Sequence, residues 1–120
     1  MQTIYLYFNA ALYAVFGVWC LALPGSTART LGYEVLSASG ESEYRVVYGG
    51  LQIGLAVFFA YCARTSDRAG LVFAVALYLP IVVIRAITVA KWPVTSTTLA
   101  VGALEALLLA TGIWALLAQR

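Results

Sequence analysis

Arg85 and Glu105 are ionisable residues set deep inside long apolar blocks of a 120-residue chain that is 63% hydrophobic and 10% charged. A charged side chain at the centre of a membrane helix costs about 3 kcal/mol or more unless it is paired or wetted, which makes it a functional candidate by default. Gln52 lies at about the depth of Glu105, and Arg45 stands at the mouth of the same segment. Three- and four-residue steps put Arg45, Tyr48 or Gly49, and Gln52 on one helix face. They group Tyr78, Arg85 and Thr88 on a second face, and Gly102, Glu105, Leu109 and Gly112 on a third. Earlier in the chain Tyr5, Asn9 and Tyr13 recur at every fourth residue. Ion pairing and hydrogen bonding are the chemistry these groups offer. With no histidine, no serine beside a base and no acidic cluster for a metal, the residues favour a binding protein over an enzyme.

The elements that must hold these side chains follow from the composition. Soluble domains carry about 25% charged residues, so this chain belongs in a bilayer, and its mean hydropathy is +0.93. Seven Lys and Arg against five Asp and Glu give a net charge of +2, too few basic residues and too scattered for a nucleic-acid surface. Apolar blocks at about 5–23, 44–63, 70–90 and 97–118 each approach the ~20 residues of a membrane helix. The expectation is an all-α, antiparallel up-down bundle of four transmembrane helices, a single domain over residues 1–120. The blocks lack the polar alternation of membrane-barrel strands. Pro24-Gly25 closes the first block and Lys91-Trp92-Pro93 the third, while Pro80 is expected to bend helix three. The uncharged start Met1-Gln2-Thr3 reads as a retained helix and not as a signal peptide.

Four spans bring both termini to one membrane face together with Arg64, Arg68 and Arg120. Arg29, Arg45 and Lys91 lie towards the other, and the slight basic bias points to cytoplasmic termini. Tyr5, Tyr7, Tyr44, Tyr61, Trp92 and Trp114 suit the two interfaces. Close helix contacts are expected at small residues: Gly49, the pair Gly50 and Gly54, Gly102, and Ala106. The long connection 24–42 is expected to hold a short interfacial helix from about Ala28, capped by Ser26 or Thr27. In it Leu31, Val35 and Leu36 would face lipid and Arg29 and Glu34 water; residues 37–40 read as a flexible return. Such a piece is also what a lid would need. Cys20 and Cys62 fall near opposite ends of their helices, about 25 Å apart at 1.5 Å per residue, beyond the reach of a disulfide. No zinc-type spacing is present.

The run Glu43-Tyr44-Arg45-Val46-Val47-Tyr48-Gly49-Gly50-Leu51-Gln52-Ile53-Gly54 resembles the signature of a bacterial family of four-helix membrane proteins of unknown function, in which Glu-x-Arg-x-x-Tyr-Gly-Gly opens helix two. Arg85 and Glu105 match that family's arginine late in helix three and glutamate in helix four. The resemblance implies a four-helix fold in a bacterial inner membrane and a site around those residues, with no assigned activity. More distantly the chain resembles DoxX-like membrane proteins, some of which are linked to quinone or thiol redox chemistry; their cysteine pairs are absent here. Small four-helix drug exporters are similar in size, but their glutamate lies in helix one, where this chain has Asn9.

The functional expectation is a cavity in the outer half of the bilayer that accepts a lipid or other amphiphile. Arg45, Tyr48, Gln52, Tyr78, Arg85 and Glu105 would line it. Arg85 and Glu105 are expected to pair, with Gln52 or Tyr48 completing their hydrogen bonds. Arg45 then leaves a spare positive charge for an anionic head, unless Glu41 or Glu43 neutralises it. A lipid or quinone is the small molecule to expect, with no metal, no catalytic residue and no nucleic acid. Two other readings compete: an accessory subunit of a larger membrane complex or homo-oligomer in which the pair is purely structural, and a small multidrug-type transporter.

Overall fold

A computed structural model describes residues 1–34 and 36–120, and all regular structure among them is helical. The chain forms α1 (Gln2–Ala22), α2 (Pro24–Thr30), α3 (Ala38–Tyr44), a π-helical segment (Arg45–Leu51), α4 (Gln52–Thr65), α5 (Asp67–Lys91) and α6 (Ser96–Leu117). The helix is continuous from Ala38 to Thr65, so α1, this 28-residue helix, α5 and α6 are four helices long and apolar enough to cross a membrane. Many of their apolar side chains point outward, as at Ile4 (72% exposed) and Val15 (70%). That is costly in water but appropriate against lipid. The long axis of 48 Å matches a bilayer of about 40–45 Å with its headgroups.

The helix ends follow local chemistry. Proline lacks an N–H and is tolerated in the first turn of a helix, so Pro24 starts α2 directly after α1 and displaces the start expected at Ala28. Thr27 is no cap: its buried hydroxyl donates back to the Leu23 carbonyl at 2.8 Å. Gly32 ends α2 with a φ of +94°. Its N–H donates to the Arg29 carbonyl, and the N–H of Tyr33 to that of Ala28. This is the paired closure that glycine permits because it has no Cβ. Residues 37–40 are not a flexible return. The Ser37 hydroxyl accepts the Gly40 N–H at 3.1 Å, and Glu41 in the first turn complements the helix dipole. The second span therefore begins at Ala38, several residues earlier than the hydropathy suggests. Of the lipid-facing residues expected in this connection, Leu31 and Leu36 are half-buried, and Val35 lies outside the described residues. Ser66 and Thr95 cap α5 and α6 in the same way as Ser37, and α5 continues through Pro80.

The bundle is two helix pairs. α1 packs along α4 and the π segment, and α5 along α6; contacts between the pairs are sparser. They gather at the end that carries the termini, where Thr3 Oγ1 donates to Asp67 Oδ2 at 2.9 Å. Leu6, Phe59, Leu71 and Ala74 are fully buried there. Glycine decides how closely the pairs meet. A Cβ on Gly70 would lie 2.8 Å from Leu6 and 2.9 Å from Cys62 Cβ, and one on Gly112 2.8 Å from the Tyr5 hydroxyl. Within the first pair, a Cβ on Gly17 would lie 3.1 Å from Gln52, the Gly49 carbonyl and Ile53, and Gly49 lies against Leu21.

Gly50 and Gly54 do not form the expected seam. Both are exposed, and a Cβ on either would meet nothing within 4 Å. Ala106 is exposed as well. These three residues sit on faces that neither helix pair covers. Tyr5 and Tyr44 are also not interfacial: each is buried with its hydroxyl bonded inside the protein, Tyr5 to the Leu108 carbonyl and Tyr44 to Thr27 Oγ1.

Candidate functional site

The pairs separate towards the end opposite the termini and leave between them a cavity of about 530 Å³. Its floor is Tyr13, Tyr78 and Leu108, its walls include Leu55, Ile81 and Val101, and the turn at Leu31, Gly32 and Tyr33 lies at its rim. Leu51 is on its lining and is 54% exposed.

Arg85 and Glu105 meet on its wall in a two-pronged pair. Nε donates to Oε2 at 2.9 Å and Nη2 to Oε1 at 2.8 Å. Two parallel bonds are the strong geometry for guanidinium and carboxylate. Gly102, one turn before Glu105, gives the pair room: a Cβ there would lie 3.1 Å from Arg85 Cγ, so the arginine stem crosses α6 where no side chain stands. The side chains are 32% and 16% exposed. Nη1 of Arg85 makes no hydrogen bond among the described residues, and Arg85 is one of the residues that line the cavity. Neither Gln52 nor Tyr48 completes the pair. Gln52 donates to the Val47 carbonyl at 3.4 Å, and the Tyr48 and Tyr33 hydroxyls share a hydrogen bond of 2.6 Å.

Arg45 is not in the cavity. Its Nη2 pairs with Glu41 Oε1 at 2.9 Å, and its Nη1 donates to the Leu21 carbonyl at 3.4 Å, at the last turn of α1. A cation suits that position, where the helix dipole is negative. Arg45 separates from Tyr48 and Gln52 because the segment Arg45–Leu51 is π-helical. The i→i+5 bonding of a π turn takes up an extra residue, so the step of three from Arg45 to Tyr48 no longer keeps one face, while the step of four from Tyr48 to Gln52 does. With Arg45 neutralised by Glu41, the only charges lining the cavity among the described residues are Arg85 and Glu105.

Tyr78 lines the floor, but its hydroxyl already donates to Asn9 Oδ1 at 2.6 Å. Asn9 Nδ2 donates to the Tyr5 carbonyl at 2.9 Å, and the Tyr5 hydroxyl to the Leu108 carbonyl at 2.8 Å. The chain ties α1, α5 and α6 together below the cavity. The rim is aromatic: the Tyr44 and Tyr48 rings stack at 4.5 Å, and Tyr33 stands edge-on to both at 5.9 and 6.0 Å.

Of the residues singled out from sequence, Tyr48, Gln52, Tyr78, Arg85 and Glu105 therefore share one cavity and Arg45 does not. Tyr33, Phe16, Thr97 and Thr98 line it too and escaped the sequence reading. Gly32 followed by an aromatic residue was the available signal for Tyr33, since a glycine stop reverses the chain and returns the next side chain onto the bundle. Nothing local marks the threonines.

Comparison with known proteins adds the lineage. The model of one family, described as a domain of unknown function (DUF4345), matches residues 1–116. The chain belongs to that family. The match brings no activity with it. No curated protein and no solved structure matches the chain.

Proposed function

We propose that this small membrane protein binds an amphiphile in the cavity between its helix pairs, with the polar head at Arg85 and the tail leaving past Leu51 into lipid. One observation carries this reading: the free edge of Arg85 beside a cavity of about 530 Å³. That volume is in the range of small-molecule sites, about 300–1,000 Å³. Gln52, Tyr48, Thr97 and Thr98 add polar groups to walls that are otherwise apolar, the usual balance of such a pocket. A purely structural ion pair needs no space beside it. In a bacterial inner membrane with both termini cytoplasmic, the cavity would lie in the outer leaflet; reporter fusions at Thr65 and Arg120 check that orientation.

The test is native mass spectrometry of protein extracted in a mild detergent. A co-purifying lipid or other amphiphile, reduced in Arg85→Ala and absent in the cavity-filling Val101→Trp, supports the reading. Equal occupancy in Val101→Trp defeats it. The open Gly50 and Gly54 face favours one other reading, in which a helix of a larger complex or of a second copy packs there. Stoichiometric partner subunits and no small molecule in the same spectra would support that instead.

A further inference from the structure

We infer that Glu105 sets the specificity of the cavity, holding it for uncharged amphiphiles whose heads present hydrogen-bond acceptors and against anionic lipids. This rests on the reading of the cavity as an amphiphile site and goes further by naming the class of head. An arginine facing a membrane cavity would by itself attract a phosphate, because guanidinium matches that geometry in two-pronged fashion. Here the side-on edge is taken: Nε and Nη2 each give an N–H to Glu105, at 2.9 and 2.8 Å. What remains is the end-on edge, Nη1 and the second N–H of Nη2, on a guanidinium whose charge is already balanced by Glu105. An anion that reached it would lie beside the Glu105 carboxylate, a like charge held in place by its own two hydrogen bonds. Repulsion at that range is a direct means of rejecting a wrong ligand.

No second cation relieves this. Arg45 is held outside the cavity by Glu41 at 2.9 Å, and no Lys or further Arg lines the walls among the described residues. The other polar groups, the Gln52 amide and the hydroxyls of Tyr48, Thr97 and Thr98, are neutral. An ester carbonyl or a hydroxyl oxygen can accept from Nη1 without meeting Glu105 as a like charge. The ligand class is therefore a neutral head with oxygen acceptors on an apolar tail, of which a diacylglycerol is the simplest probe.

The experiment is a competition between dioleoylglycerol and dioleoylphosphatidic acid, which differ in the phosphate alone, offered to the intact protein in zwitterionic nanodiscs and read by native mass spectrometry. Wild type is expected to retain the diacylglycerol at least about tenfold over the phosphatidic acid, and Glu105→Gln, which uncovers Arg85, to shift the ratio at least about tenfold towards the anion. The double variant Arg85→Gln/Glu105→Gln, with no charge left, should bind both weakly and keep the neutral preference. A wild-type preference for phosphatidic acid that disappears in Val101→Trp overturns the assignment of class while leaving the cavity as a site. Retention of neither probe, or retention unaffected by Val101→Trp, overturns the cavity reading and this inference with it. If Glu105→Gln does not fold, the wild-type ratio decides alone.

Discussion

At the end carrying the termini, Tyr5, Asn9 and Tyr78 bury their polar atoms and bond every one of them to another helix or to their own backbone. At the opposite end, Arg85 bonds Glu105 with one edge and leaves the other beside open space. Both regions place polar groups where lipid would otherwise be, yet only one of them has room. The difference lies in glycine and spacing. Gly70 and Gly112 draw the helix pairs together at the first end, and sparse contact between the pairs leaves them apart at the second. A polar residue within a membrane helix thus has two distinct uses. Fully bonded and dry, it fastens helices; partly bonded beside a cavity, it is free to meet a ligand.

Adding bulk to the dry end should have the largest effect. Gly70→Val has no space against Leu6 and Cys62 and is expected to cost about 3 kcal/mol or to prevent folding, seen as a lower melting temperature in detergent. A melt within error of wild type would show that end to be looser than described. Next comes the ion pair. Arg85→Ala or Glu105→Ala leaves a charge stranded, and partial exposure reduces the usual penalty to about 2 kcal/mol each. The double alanine variant should cost clearly less than the sum, and additive losses in the cycle would rule out direct coupling. Tyr78→Phe removes one bond from the dry network, leaves Asn9 Oδ1 without its donor, and should cost about 1 kcal/mol. Val101→Trp, which also adds bulk but at the open end, should cost less than about 1 kcal/mol while blocking the cavity. A loss as large as that of Gly70→Val would erase the contrast between the two ends. Smallest is Gly54→Leu, expected to change the monomer's melting by less than about 0.5 kcal/mol, since nothing lies within 4 Å of its Cβ.

The segment that carries the family resemblance divides along the same line. Tyr44 bonds Thr27 of α2, Arg45 holds Glu41 and the last turn of α1, and Gly49 admits Leu21. These residues assemble the junction of the first two spans. Of this run, Tyr48, Leu51 and Gln52 reach the cavity. A motif read as one polar stripe is mostly a docking device with three residues of the site attached.

Length and apolarity determined the four spans by themselves, because the cost of an unbonded backbone in lipid leaves a helix as the only form for blocks of about 20 apolar residues. The pairing of Arg85 with Glu105 was legible for a related reason: both stand at similar depth on spans joined by a short link, and neither charge is tolerable alone. Tertiary structure decided the rest. A periodic pattern assigns faces only relative to its own helix axis and only while the helix keeps an α period. The π turn at Arg45–Leu51 changed that phase and carried Arg45 away from Tyr48 and Gln52. Which glycines meet a neighbour depends on which helices pair and where they diverge, so Gly70, Gly112 and Gly17 are contacts while Gly50 and Gly54, with the stronger motif, stand open. The cavity itself is a property of that divergence, and no single span encodes it.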